Sequence, residues 1–218
     1  MTVAAEPHTR PLELSQPPPD HTRLLIVDDH AAVRAGLREL LADEPDFEVV
    51  AAVEDAEAAM SVAELQAVDV AVVDYQLRSR NGLWLSRKLK RLPAPPAVLI
   101  YSAYADGVLA AAAVVAEADA IVSKGGLGSE LRDEIRRIAR GGTGLRPLPE
   151  WLGDTLRNCF EPEEQAIFGM MLAGIAPSEI AQTLGLSDAG LEARLWAMLR
   201  KLDMPHPQQR AASPTPRS

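Results

Sequence analysis

Residues 24–29 read Leu-Leu-Ile-Val-Asp-Asp, so a short apolar run ends directly in two carboxylates. A run of this length and composition is typical of a strand buried on both faces, the kind found in parallel sheets. Helical spacing follows at once, with apolar residues at Val33, Leu37, Leu40 and Leu41. The stretch therefore predicts a strand followed by a helix, with acidic side chains at the junction.

The same strand-then-helix unit repeats along the chain. Further strands are predicted at residues 47–53, 70–73, 98–101 and 120–122, and helices at 56–67, 83–92, 107–116 and 127–138. We expect Pro93 to end the helix at 83–92. Strands that alternate with helices form a parallel sheet covered on both faces, so the predicted fold class is a five-stranded, doubly wound α/β domain.

Polar side chains stand where the predicted strands end: Asp28 and Asp29 after the first, Asp74 after the third, Ser102 after the fourth and Lys124 after the fifth. Each acid alone is more typical of a helix cap, but parallel strands end at one sheet edge, where ligands bind. Three carboxylates that meet there repel one another unless a cation lies among them, and oxygen ligands favour Mg²⁺. With the lysine and the hydroxyl binding phosphoryl oxygens, Asp74 is placed to act as a nucleophile that forms an acyl phosphate.

Four segments carry a resemblance to a known family: Val27-Asp28-Asp29-His30, Val72-Val73-Asp74-Tyr75, Ile100-Tyr101-Ser102-Ala103-Tyr104 and Val122-Ser123-Lys124. In order and spacing they resemble the landmarks of bacterial response-regulator receiver domains, across residues 22–140. The resemblance implies that a sensor histidine kinase phosphorylates Asp74. It also implies that Asp28 and Asp29 hold Mg²⁺ directly or through water, and that the backbone carbonyl of Gln76 completes the protein ligands. By the same resemblance, Lys124 contacts the phosphoryl group and Ser102 moves to bond it.

Three positions depart from that family pattern. Arg78 stands where the family usually has a proline, Ile121 where it commonly has an aromatic switch residue, and Gly125 where a proline usually follows the lysine. We expect phosphoryl chemistry to survive these changes and the route that transmits it to differ. Tyr104, two residues after Ser102, is either a substitute switch or an exposed loop tyrosine, and the sequence leaves both interpretations open.

Glycines and prolines at residues 141–157 indicate a linker, after which helical patterns resume. Helices are predicted from Pro162, at 178–184 and at Asp188–Leu202, with a glycine turn between the last two, as in a helix-turn-helix. Residues 158–204 resemble the LuxR-type helix-turn-helix of NarL/FixJ response regulators, chiefly through the segments 160–164, 173–181 and 184–187. This resemblance implies control of transcription by sequence-specific DNA binding, with paired half-sites where the phosphorylated protein is a homodimer.

The charges of the predicted DNA-reading helix do not follow that family. Glu192 occupies the place of a lysine that usually faces DNA, and a carboxylate there repels phosphate. Arg194, Arg200 and Lys201 remain as candidate contacts to phosphates or bases, or else as a solvated helix face. The alternative function is therefore a phosphorylation-dependent protein-interaction switch whose helix-turn-helix has lost DNA affinity. An enzyme that acts on small substrates has less support, because no second nucleophile–base pair is visible.

Composition narrows the remaining possibilities. The chain has 218 residues, with 22 basic and 31 acidic side chains and a net charge of −9, which argues against a protein that coats nucleic acid by bulk charge. Residues 1–21 and 205–218 are proline-rich and are predicted to be disordered tails. A single cysteine, Cys159, excludes an internal disulfide, and its apolar flanks predict a packed side chain. Without a signal-peptide pattern or an apolar run of membrane-spanning length, we expect a cytoplasmic protein.

Overall fold

The computed structural model describes residues 21–103, 106–145, 156 and 158–202. Five strands form its sheet: β1 (Thr22–Val27), β2 (Phe47–Val53), β3 (Val70–Asp74), β4 (Ala97–Ser102) and β5 (Ala120–Ser123). Five helices follow them in turn: α1 (Ala31–Ala42), α2 (Ala56–Leu65), α3 (Gly82–Leu89), α4 (Gly107–Val115) and α5 (Gly128–Ala139). All neighbouring strands are parallel, in the order β2-β1-β3-β4-β5. This order is that of a doubly wound sheet, so the predicted fold class is confirmed.

The core lies on both faces of the sheet because alternate residues of a strand point to opposite sides. In β1, Leu24 and Ile26 pack on the same side as Leu37 of α1 and Ile135 of α5. On the other side of the sheet, Leu25 and Val27 belong to a second cluster with apolar residues of α2, α3 and α4, among them Ala59, Leu85 and Ala112. The polar ends of these buried strands must therefore lie at the sheet edges.

Two helices end earlier than the sequence patterns predicted. Helix α2 ends at Leu65 because Gln66 is extended, with φ of −129° and ψ of 149°. Helix α3 ends at Leu89, so the prediction that Pro93 ends it was wrong. The amide of Arg91 donates to the Lys88 carbonyl at 3.1 Å, an i to i−3 bond that tightens the chain into a turn before the proline.

A second group of helices packs on the receiver-like sheet domain. It comprises α6 (Pro162–Leu172), α7 (Pro177–Thr183) and α8 (Asp188–Leu202), and Gly185 makes the turn between α7 and α8 with φ of +66°. Helix α4 lies against both α8 and α6. Apolar side chains of α8, including Leu195, belong to the same continuous core cluster as those of α4. The two groups of elements therefore share one hydrophobic core.

The segment that leaves α5 runs beside the edge strand β5. Gly144 pairs with Ala120 as an isolated parallel bridge, and its amide donates to the Asp119 carbonyl at 2.6 Å. Cys159 is exposed, so the prediction of a packed side chain was wrong. Apart from His21, the tails predicted to be disordered lie outside the described residues, as does most of the predicted linker beyond Leu145. Among the described helices, none has both the length and the apolar character needed to cross a membrane.

Candidate functional site

Three carboxylates meet at the carboxyl-terminal edge of the sheet. Val27 pairs with Val73, so Asp28 and Asp74, the residues that follow, stand side by side. Ligand atoms of Asp28, Asp29, Asp74 and the neighbouring His30 lie within 4.8 Å of one another. Asp28 is 1% exposed and Asp74 3%. The structure thus brings together the acids that the sequence predicted to meet, with Asp28 and Asp74 buried and Asp29 partly exposed.

Lys124 is the cation of this pocket. Its Nζ donates to Asp28 Oδ2 at 2.7 Å and lies 2.8 Å from Asp74 Oδ2. Its amide donates to the Ser102 carbonyl at 2.7 Å, which fixes the end of β5 to the end of β4. Burial lowers the pKa of Lys124, but the carboxylates of Asp28 and Asp74 beside its ammonium raise the pKa further than burial lowers it. The lysine therefore stays charged beside the acids.

Asp74 carries an ionisation cost that Lys124 does not remove. Burial raises the pKa of Asp74, and the nearby Lys124 ammonium and the hydrogen bond from the Gln76 amide lower it by less. The Gln76 amide donates to Asp74 Oδ1 at 3.1 Å, so the loop after β3 folds back over the carboxylate. A further cation beside Asp74 would stabilise its charged form.

The donor set fits Mg²⁺. Asp29 Oδ1 and Asp74 Oδ2 are buried oxygens that accept no hydrogen bond of normal geometry from the described residues, although His30 Nδ1 and Lys124 Nζ approach them within 2.8 Å. Buried carboxylate oxygens normally have such partners, and those without them point to an absent ion or water. A small divalent cation that prefers oxygen ligands meets this requirement, whereas His30 is largely exposed at the rim.

Other predicted residues of this site are less completely placed. Ser102 is buried and follows Tyr101, the residue that pairs with Asp74. Ile121 pairs with Ile100 in the sheet and packs against the core on the α4 side. Tyr104 lies outside the described residues, and the part predicted for the Gln76 carbonyl stays a prediction.

Two further residues border the pocket, although the sequence patterns did not predict this position for them. Arg78 Nε lies 3.7 Å from Asp29 Oδ2, so a cation occupies the position of the missing proline. Gly82 begins α3, and its amide donates to the Tyr75 carbonyl at 2.8 Å. A Cβ on Gly82 would collide with the backbone carbonyl of Asp74. The Asn-Gly pair at 81–82 was the available signal, since Asn81 also caps α3 by accepting from the Trp84 amide.

The predicted DNA-contact residues are mostly engaged within the chain. Arg194 pairs with Glu163 of α6 at 2.9 Å, and Lys201 pairs with Glu164 of the same helix at 2.6 Å. Glu192 is turned toward the sheet domain: its carboxylate accepts hydrogen bonds from Arg87 of α3 and from Arg91, which follows that helix. Arg200 is exposed on α8.

The doubly wound sheet carries an acidic pocket with a lysine at its carboxyl-terminal edge, and a helix-turn-helix follows in the same chain. These two features together define a class of signalling protein, a receiver domain with a helical output module. Comparison with known proteins agrees with that class. The family model described as the response regulator receiver domain matches residues 24–136.

Relatives match along most of the chain. Transcriptional regulatory protein UhpA of Salmonella typhimurium is 30% identical over 178 residues, which cover 81% of this chain and 89% of the relative. Response regulator UvrY of Escherichia coli is 28% identical over 194 residues, which cover 83% of this chain and 88% of that relative. A structure of RcsB from Salmonella enterica serovar Typhimurium, bound to promoter rprA with phosphomimetic BeF3−, superposes with a TM-score of 0.55 over 87% of this chain and 96% of that chain. At 19% identity this last likeness shows the fold alone.

The chain therefore belongs to the response-regulator family, and its pairing of a receiver with a helix-turn-helix is that of the NarL/FixJ type.

Proposed function

We propose that the protein is a cytoplasmic two-component response regulator that is phosphorylated on Asp74 and controls transcription by sequence-specific binding of DNA. The observation that carries the proposal is the position of the Asp74 carboxylate, which is buried 2.8 Å from the Lys124 ammonium among acids whose oxygens suit Mg²⁺. The printed name of the relative UhpA, a transcriptional regulatory protein, supports the output. Residues 22–140 would form the receiver and 158–204 the output domain, joined by the linker 141–157.

Phosphoryl transfer needs a nucleophilic oxygen and a means of offsetting charge. An oxygen of Asp74 attacks the phosphorus of a phosphohistidine in a sensor kinase; a P–O bond forms, the P–N bond breaks, and the leaving imidazole nitrogen keeps the bond's electron pair and takes a proton from solvent. Lys124 binds a phosphoryl oxygen from its position between Asp28 and Asp74. Bound Mg²⁺ would supply charge neutralisation of the phosphoryl group, held by Asp28, Asp29, Asp74 and the Gln76 carbonyl.

The hydroxyl of Ser102 would bond the acyl phosphate and so report the reaction to β4 and to the loop that precedes α4. The candidate switch positions stay Tyr104, two residues after Ser102 in the sequence, and Ile121 of β5. The output would come from α8, the second helix of the helix-turn-helix, with Arg194, Arg200 and Lys201 contacting DNA in a phosphorylated homodimer. Such contacts require Arg194 and Lys201 to leave their partners Glu163 and Glu164.

A second candidate function has an observation in its favour. Glu192 adds an acid to the second turn of the DNA-reading helix, and two of the three basic candidates, Arg194 and Lys201, already pair with acids of α6. A helix with these charges is weakly attracted to phosphate, which favours a protein-interaction switch in its place.

One experiment tests both steps. The full chain is treated with acetyl phosphate, with and without Mg²⁺, and then offered a random pool of duplex DNA. We expect the mass of one phosphoryl group to be added only with Mg²⁺, and an enriched sequence motif only from the phosphorylated protein. Asp74→Asn should lose both, whereas the matched control Asp55→Asn, which changes the N-cap of α2, should keep both.

The outcomes separate the alternatives. Undiminished labelling of Asp74→Asn would contradict the assignment of the phosphoacceptor. Labelling of the wild type without any enriched DNA motif would favour the protein-interaction switch.

A further inference from the structure

Glu192 sits in a site formed by the receiver. Its carboxylate pairs with the Arg87 guanidinium, and it also accepts from Arg91 NH2 at 2.9 Å. Arg87 lies in the last turn of α3 and Arg91 in the turn that follows it, far along the sequence from α8. The Arg87 side chain has no exposed surface, and its guanidinium stands 5.7 Å from the ring centroid of Trp196, one turn along α8. Glu192 and Trp196 therefore close over a buried arginine together.

A third receiver residue, Glu117, holds the two arginines in place. Its carboxylate accepts from Arg87 NH1 at 2.8 Å and from Arg91 NH2 at 2.6 Å. Glu117 has a φ of +57°, a left-handed conformation that costs energy for any residue other than glycine. A strained residue that keeps a long acidic side chain indicates that the carboxylate is needed there. We call Arg87, Arg91 and Glu117 the carboxylate clamp.

The charge of the clamp determines what it accepts. Two guanidinium groups and one carboxylate leave one positive charge unbalanced, and Glu192 balances it. A lysine at position 192, the residue usual in the family, would place three cations around one acid. Burial raises the pKa of Glu192, but the hydrogen bonds and charges of Arg87 and Arg91 outweigh burial and lower the pKa below its ordinary value.

We infer that the carboxylate clamp is a docking site for the DNA-reading helix, and that Glu192 is the residue that docks. Position 192 is then a glutamate, where the family usually has a lysine, because it pairs with arginines of the receiver and not because of a contact with DNA. One face of α8 serves the receiver in this arrangement, so receiver and DNA compete for that face. The docking stands on the contacts alone, whereas its consequence for DNA rests on the proposed function.

Helix α4 connects the docking site to the phosphoacceptor pocket. It begins at Gly107, shortly after Ser102, and ends at Val115, whose carbonyl accepts from Arg87 NH1 at 2.8 Å. Because α4 also lies against α8, a shift of α4 after phosphorylation would act directly on the docked helix. When α8 leaves, Arg87 still donates hydrogen bonds to the Val115 carbonyl and to Glu117. The two domains can therefore separate without leaving the Arg87 guanidinium unpaired.

The test uses the full chain without phosphodonor or DNA. The radius of gyration is measured by small-angle X-ray scattering, and domain coupling is measured by the number of transitions in differential scanning calorimetry. The variants are Glu192→Lys, the isosteric Glu192→Gln, and the charge exchange Arg91→Glu with Glu192→Lys. Glu179→Lys is the matched control, because it makes the same charge change at an exposed position of α7.

We expect a compact wild type that unfolds in one transition. Glu192→Lys should raise the open population by about tenfold or more, with a larger radius of gyration and two transitions, and Glu192→Gln should lie between them. The charge exchange should restore much of the compact form, and Glu179→Lys should behave as the wild type.

Three results would overturn the inference: a wild type that is already open, a compact Glu192→Lys, or a Glu179→Lys that opens equally. Labelling of Asp74 by acetyl phosphate is measured on the same samples. Failure of that labelling would count against the proposed function and leave the docking result intact.

Discussion

The phosphoacceptor pocket and the carboxylate clamp stand at opposite edges of the same sheet, and they treat charge in opposite ways. The pocket gathers Asp28, Asp29 and Asp74 around Lys124 and leaves two buried carboxylate oxygens without a well-formed hydrogen bond. The clamp and Glu192 match two arginines with two acids and cover a fully buried guanidinium. Unbalanced charge leaves a site ready to bind a cation and a phosphoryl group, whereas balanced charge holds two domains together. The predictions that follow perturb each side of this comparison in turn.

Removing the buried arginine should have the largest effect. Arg87→Ala leaves Glu192 and Glu117 facing one another with Arg91 alone between them, and breaking a partly buried charge network of this kind costs about 3 kcal/mol. Urea unfolding measures the loss in the free energy of unfolding. Arg38→Ala, on the exposed side of α1, is the control and should change stability by less than about 0.5 kcal/mol. Equal losses in the free energy of unfolding for the two variants would show that Arg87 stabilises the protein no more than an exposed arginine does.

Gly82 tests the geometry of the pocket. In Gly82→Ala the new methyl group meets the Asp74 backbone, so the loop must move, and we expect a loss of about 2 kcal/mol together with slower labelling by acetyl phosphate. Gly36→Ala is the matched control: it lies in α1 with no atom near its added Cβ, and it should stabilise by about 0.5–1 kcal/mol. Opposite signs in thermal unfolding would support the close approach at Gly82, and equal signs would contradict it.

Neutralising the phosphoacceptor should stabilise the protein. Burial raises the pKa of Asp74, so its ionised form is held at a cost that Asp74→Asn removes, and we expect a higher melting temperature for the variant in buffer without Mg²⁺. Lys124 keeps its bond to Asp28 in this variant. A lower melting temperature for Asp74→Asn than for the wild type would show that the ionised Asp74 carboxylate does not destabilise the folded protein.

Acid should loosen the clamp by the smallest margin. The folded pKa of Glu192 is lowered, so its contribution is present above its ordinary value of 4.5 and is lost as the pH falls through the lower folded value. The groups that face Glu192 are Arg87, Arg91 and Glu117. We expect the radius of gyration to rise below about pH 4 in the wild type, and to change less with pH in Glu192→Gln. A variant that opens as steeply as the wild type would assign the acid effect to other groups.

Local pattern was enough for most of the receiver. The alternation of apolar runs with helical spacing gave the five strands in their observed places, and the acids meet because parallel strands end at one edge. The pattern failed at the end of α2, where Gln66 is extended, and at the end of α3, where a turn hydrogen bond precedes the proline. The Asn-Gly pair at 81–82 indicated a helix start, but the collision that requires Gly82 could not be predicted, because Asp74 comes near the start of α3 only on folding.

By itself, the sequence determined the sheet, the acidic pocket and the helix-turn-helix, since each depends on spacing within a few neighbouring elements and on residue types that local geometry brings together. Only the tertiary structure decided what Glu192 does. From its position alone the residue was a repulsive charge before DNA, and its partners Arg87 and Arg91 lie about a hundred residues away in another domain. Charge pairs across a domain interface carry no periodic signal, because they are set by how two separately patterned cores pack against each other.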